Sequence, residues 1–151
     1  MSTSTAGPEV AASDRSKQLH AQRQLRWTAI ALAVGFGLHA VDHVRRGMSA
    51  ATMLVMIGGG TEAVSIAIAV VMVLARHKWA AQAAIVVGFG SALASTYGHL
   101  LPTFLPGYQD SFISLPHTGV TWFSWVSLAA AMAAGILFGL AGIRAARNSE
   151  P

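Results

Sequence analysis

Cysteine is absent from this chain, which excludes disulfides, thiol nucleophiles and thiolate metal ligands. Charge is nearly as scarce. Asp, Glu, Lys and Arg make up only 11% of the 151 residues, about half the share of a soluble domain. No stretch shows the strict alternation of apolar and polar residues that a membrane-spanning strand requires. No short apolar core follows a basic start as in a cleavable secretory signal. A Ser-His-Asp order, a phosphate loop and a catalytic carboxylate pair are also missing, which argues against an enzyme. Gly88-Phe89-Gly90 is no nucleotide loop, because it lies inside an apolar run with no strand before it.

What the chain does have is apolar length. Hydrophobic residues reach 54% and the mean hydropathy is +0.53. Apolar runs at about 27–44, 50–75, 79–101 and 120–143 approach or exceed the roughly 20 residues that cross a bilayer as a helix. The expected fold is all-α, a transmembrane four-helix bundle over 27–143, with the lipid bilayer as its first partner. Residues 1–13 are small and polar and cannot offset the entropy of ordering. Residues 14–26 are polar and basic, a helical lead-in, so 1–26 is expected to be a disordered, basic cytoplasmic segment. Residues 144–151 form a short cytoplasmic tail.

Orientation follows from the basic residues. Of the ten Lys and Arg, all but Arg45 and Arg46 fall in the N-terminal flank, the loop between runs two and three, or the C-terminal flank. The positive-inside rule then places both termini in the cytoplasm. Trp27 and Trp79 open their runs at the cytoplasmic interface, and Trp122 and Trp125 lie near the outer end of the fourth. The net charge of +4 reflects this bias and does not point to nucleic acid.

This topology gives depth to the polar residues. His39 and His43 lie about 5–10 Å below the outer surface at 1.5 Å per residue, with His99 and His117 at a similar level and Asp110 in the loop above. Histidines 39 and 43 are four apart on one helix face, and Asp42 stands beside His39. That spacing lets two imidazoles share a metal, or lets Asp42 orient a histidine tautomer. His39, His43, His99 and His117 could together form a tetrahedral set suited to zinc, copper or nickel. A facing pair could instead ligate haem. Interhelical hydrogen bonding near the wet interface accounts for the same residues without a cofactor.

Glu62 lies about midway along the second run, where a charge costs roughly 2.5–3.5 kcal/mol on insertion scales. It is expected to face the interior as a proton- or ion-handling carboxylate, or to bond a hydroxyl such as Ser91 or Ser95. The preceding Gly58-Gly59-Gly60 allows close helix approach or a break in the span. Gly135 and Gly139 form a small-xxx-small pair, read as intramolecular packing ahead of a dimer face. Arg26-Trp27 leads into Val34-Gly35-Phe36-Gly37, and Lys78-Trp79 into Val87-Gly88-Phe89-Gly90, which suggests two related hairpins. The loop between runs three and four is rich in turn residues and reads as an ordered cap, with Asp110 facing Arg45 or Arg46.

Two resemblances attach to these residues. His39-Ala40-Val41-Asp42-His43 resembles a shortened histidine-aspartate signature of nickel/cobalt permeases, although their histidine spacing is longer and their spans more numerous. Tyr97-Gly98-His99-Leu100-Leu101-Pro102, with Trp122-Phe123-Ser124-Trp125, resembles small four-span membrane proteins of high-GC bacteria, a largely uncharacterised group. The second likeness implies topology and not activity. Three functional classes follow: a metal- or haem-binding protein, a small transporter or channel component using Glu62, and an accessory subunit acting with a homo-oligomer or another membrane protein.

Overall fold

The computed structural model describes residues 8–47, 51–105, 107–115 and 119–148. It is all-helical, as expected. Helix α1 spans Pro8–Arg46, α2 Met53–Leu74, α3 Ala80–Ser95 and α4 Trp122–Arg147, and a π-helical turn, Thr96–Leu100, continues α3. All four are long and apolar enough to cross a membrane, consistent with a multi-pass membrane protein.

Local chemistry sets the ends. Proline suits the first turn of α1, where its missing N–H has no helical partner to lose. The helix therefore starts well ahead of the expected span, and the basic lead-in is part of one continuous element. It ends at Gly47, whose φ of 86° closes the last turn with an N–H bond to the His43 carbonyl at 3.1 Å. Thr52 caps α2, its hydroxyl accepting from the Val55 N–H at 3.4 Å. At the start of α4 the Thr121 N–H donates to Ser124 Oγ at 3.1 Å.

The core is apolar, with Leu25, Leu32, Ile66, Val73 and Phe138 buried, but His39, Asp42, His99, Ser91, Ser124 and Ser127 are buried too, while Val34, Leu38, Val41, Ile57, Val64, Ile68, Val86 and Leu93 point outward. Outward apolar side chains suit a lipid surrounding, and Ser91 with Glu62, Ser124 with Asp42, and His39 with His99 bond across helices.

Helix α4 is the centre: half of its apolar window is buried, against 11% for α2. Close backbone approach makes this possible. A Cβ on Gly88 would stand 2.5 Å from the Gly135 carbonyl oxygen, and one on Gly35 3.1 Å from Ala130 O. Gly135 and Gly139 thus serve packing within the chain. The first glycine of each Val-Gly-Phe-Gly motif meets the same helix, α4. The hairpins are therefore not interchangeable, since a pseudo-symmetric pair would seat α3 on α2 as α1 seats on α4. Helix α2 packs through Ile66, Ala69 and Val73 in its second half. Gly58, Gly59 and Gly60 face open space and leave the helix unbroken, so they neither admit a neighbour nor interrupt the span.

Candidate functional site

His39 and His43 project from one face of α1, and the π turn after α3 carries His99 to the same point. Ring centroids are 4.8 Å apart for His39–His43, 4.7 Å for His39–His99 and 5.4 Å for His43–His99. One ring nitrogen from each of the three lies within 4.8 Å of the others. The Nε2 atoms of His39 and His99 are 3.1 Å apart. His117, the fourth expected member, lies outside the described residues.

The π turn is held open by the following loop. Its wider winding leaves carbonyls without helical partners, and the loop supplies them. Asp110 N–H donates to Gly98 O at 3.0 Å and Phe112 N–H to His99 O at 2.9 Å. Gln109 Nε2 donates to Tyr97 O at 2.8 Å, and Ser111 Oγ to Leu101 O at 2.8 Å. His99 Nδ1 in turn donates to the Asp110 carbonyl at 2.9 Å. A carbonyl only accepts, so this bond puts the proton on Nδ1 and leaves Nε2 of the neutral ring as a lone pair aimed at His39. Such an outer bond is what orients a metal-ligating histidine.

A charged cluster walls the triad on its loop side. Asp42, fully buried, takes Arg45 Nε at 3.1 Å, Arg45 Nη2 at 2.9 Å and Ser124 Oγ at 3.0 Å on one oxygen. Its other oxygen faces Arg46 Nε at 3.1 Å. Arg46 reaches on to Asp110, with Nη1 donating to Oδ1 at 3.1 Å and Nη2 bonding Oδ2. The expected pairing of Asp110 with an arginine is therefore present. Asp42, by contrast, spends its oxygens on Arg45, Arg46 and Ser124, and the histidine tautomer is set by the Asp110 backbone instead. Asp110 Oδ2 also lies 3.7 Å from His43 Nδ1 and 3.8 Å from His99 Nδ1. Two carboxylates and two guanidiniums cancel, so the imidazoles sit in a charge-balanced shell.

Several members were not singled out in the sequence. Ser124 joins the α4 cap to Asp42, Gln109 and Ser111 tie the loop to the π turn, and Phe112 packs 4.7 Å from the His99 ring and 5.0 Å from the Arg46 guanidinium. The run of three adjacent polar residues, Gln109-Asp110-Ser111, in the middle of the loop is the available signal.

A cleft of about 790 Å³ lies between α2 and the α1–α3 pair. His39, His43 and His99 line one part of it, and Glu62 and Ser91 line another. Glu62 accepts a hydrogen bond from Ser91, one of the two hydroxyl partners expected from sequence. His20 and His77 belong to the other end of the bundle and take no part.

The His39 and His99 Nε2 atoms, 3.1 Å apart, are at hydrogen-bonding distance, and that distance is also close to the roughly 3.3 Å between two nitrogens bound to one tetrahedral ion at about 2.0–2.1 Å each. The three-nitrogen set spans up to 4.8 Å, so all three could ligate one ion only after the rings draw together. Axial ligands on opposite faces of one haem iron stand about 4 Å apart with the porphyrin between them, which the His39–His99 pair does not accommodate. No family model, curated protein or solved structure matches the chain.

Proposed function

We propose that this chain is a multi-pass protein of the bacterial inner membrane that binds a single transition-metal ion through His39, His43 and His99. The observation that carries the reading is the convergence of three imidazoles from two helical elements, with ligand nitrogens within 4.8 Å of one another. Three neutral imidazoles and one open position are the donor set of a reactive zinc-class site. The His99–Asp110 bond supplies the outer support such a site requires. When bound, the ion would act as a Lewis acid toward molecules entering from the cleft. Haem is disfavoured by the spacing. The basic residues at the opposite end support cytoplasmic termini and hence a site near the extracytoplasmic face. His43 supports this set conditionally, because its Nδ1 accepts from Arg46 Nη2 at 3.3 Å and ligation would displace or re-aim that bond.

Cobalt(II) titration of detergent-purified protein tests the reading. Intense visible absorption saturating near one equivalent, and lost in His99→Ala, is expected. An unchanged spectrum through several equivalents would overturn it, leaving the triad as an interhelical hydrogen-bond cluster. A second reading, a small transporter component, rests on the continuity of the cleft from the triad to Glu62. It expects metal flux in proteoliposomes that depends on Glu62 as well as on the histidines.

A further inference from the structure

The opposite end of the bundle holds a second polar cavity, of about 360 Å³, bounded by α1, the α2–α3 connection and the end of α4. Arg26, Arg76 and Lys78 line it together with Gln18, Gln22 and Asn148. Among the described residues no carboxylate lines this pocket, and none forms an ion pair with Arg26, Arg76 or Lys78. The cavity is therefore cationic, with amide groups for hydrogen bonding and an apolar floor that includes Leu25, Val73 and Ala145.

A separate observation bears on Arg76. Helix α2 ends in a Schellman arrangement: His77 N–H bonds Met72 O at 2.9 Å, and Arg76 N–H bonds Val73 O at 3.2 Å. Arg76, the first residue past the helix C-cap, adopts a left-handed conformation, with φ of 54°. Glycine is the ordinary occupant of that position, because a Cβ there is crowded by the backbone. Among the described residues no other non-glycine residue has positive φ. An arginine held against its backbone preference, beside a basic pocket whose described lining holds no carboxylate, points to a use for its side chain.

The neighbours indicate for what. Arg26 is followed by Trp27 and Lys78 by Trp79, and both tryptophans are exposed, at 62% and 54%. Exposed tryptophans at a span end sit at the headgroup level of a bilayer, and basic pockets between helices at that level bind anionic headgroups. Arg26 is already steered inward, its Nη2 donating to Leu74 O at 3.4 Å. We propose that this pocket binds the phosphate of one anionic phospholipid through Arg26, Arg76 and Lys78, with its acyl chains running down the lipid-facing surface beside Trp27 and Trp79.

Native mass spectrometry of delipidated full-length protein in detergent tests this, with titrations of phosphatidylglycerol, phosphatidylcholine and inorganic phosphate. One phosphatidylglycerol is expected to bind at least about tenfold more tightly than phosphatidylcholine, and inorganic phosphate only weakly. Arg76→Gly is the decisive variant, because it relieves the left-handed strain. Its melting temperature should hold or rise while phosphatidylglycerol affinity falls about tenfold, the scale of one lost charge-assisted contact. Arg23→Gln, an exposed basic residue outside the pocket, should leave binding unchanged. Equal affinity for the two lipids, wild-type binding by Arg76→Gly, an equal loss in Arg23→Gln, or phosphate binding as tight as the lipid would each overturn the proposal.

Discussion

Replacing Arg46 by glutamine should move stability and metal affinity in opposite directions. The guanidinium is fully buried and joins Asp42 on α1 to Asp110 in the loop. Asp42 would keep Arg45 and Ser124, but Asp110 would keep no cation, only His43 and His99 at 3.7 and 3.8 Å. Removing one partner from a buried ion pair costs about 3–5 kcal/mol, chiefly because the other charge stays buried. The local charge meanwhile falls from zero to −1. Arg46 Nη2 is 3.3 Å from His43 Nδ1, which sets an ion on the triad within about 8 Å of the guanidinium. At that distance and an effective dielectric near 20, a unit positive charge opposes a divalent ion by about 4 kcal/mol. A gain of at least about tenfold in affinity is a conservative expectation, since that needs only about 1.4 kcal/mol. Glutamine also frees His43 Nδ1 from the arginine. Unfolding in detergent followed by circular dichroism reads the first effect, and cobalt titration of the monodisperse helical fraction reads the second. A stability loss below about 1 kcal/mol, the size of an exposed pair, or weaker cobalt binding would refute the reasoning.

Two further outcomes follow from packing. Gly88→Ala forces a methyl to within 2.5 Å of Gly135 O and 2.6 Å of Gly139 N, so it should destabilise the α3–α4 contact by about 1–3 kcal/mol. Gly90→Ala meets nothing within 4 Å and should be neutral or stabilising by up to about 1 kcal/mol; equal melting temperatures for the two variants would contradict the close approach. Ser91→Ala removes the donor to Glu62 and should cost about 1–3 kcal/mol by leaving a part-buried carboxyl without it. An unchanged unfolding transition would mean that Glu62 is satisfied from the cleft instead.

The four helices were legible because their apolar runs match the thickness of a bilayer, and the histidine cluster was legible because topology converts chain position into depth. His39, His43 and His99 were brought together on paper by that step alone. What depth cannot supply is direction around a helix. The π turn that aims His99 has no signature in Thr96–Leu100, since it depends on Gln109, Asp110 and Ser111 satisfying carbonyls from another segment. The spacing makes Asp42 a candidate partner of histidine, but Arg45 on its own helix and Ser124 from α4 hydrogen-bond one of its oxygens, and the other lies against Arg46 as an ion pair. The helical lead-in of residues 14–26 is legible in the sequence, but the start of α1 at Pro8 and the burial of Ala21 and Leu25 are not, because the polar lead-in carries no apolar run. The glycine run misled for a related reason. Small residues permit close approach without requiring it, and only the packing of α1 and α3 onto α4 decides which glycines are used.

The central claim is that His39, His43 and His99 hold a metal. Elemental analysis by ICP-MS, on protein purified in mild detergent without a polyhistidine tag and after equilibration with zinc, copper and nickel, tests it most directly. About one ion per chain is expected, retained through gel filtration and lost in the His39→Ala/His43→Ala double variant that still runs as a monodisperse helical protein. Metal at background in the wild type, or the same metal content in the double variant, would contradict it.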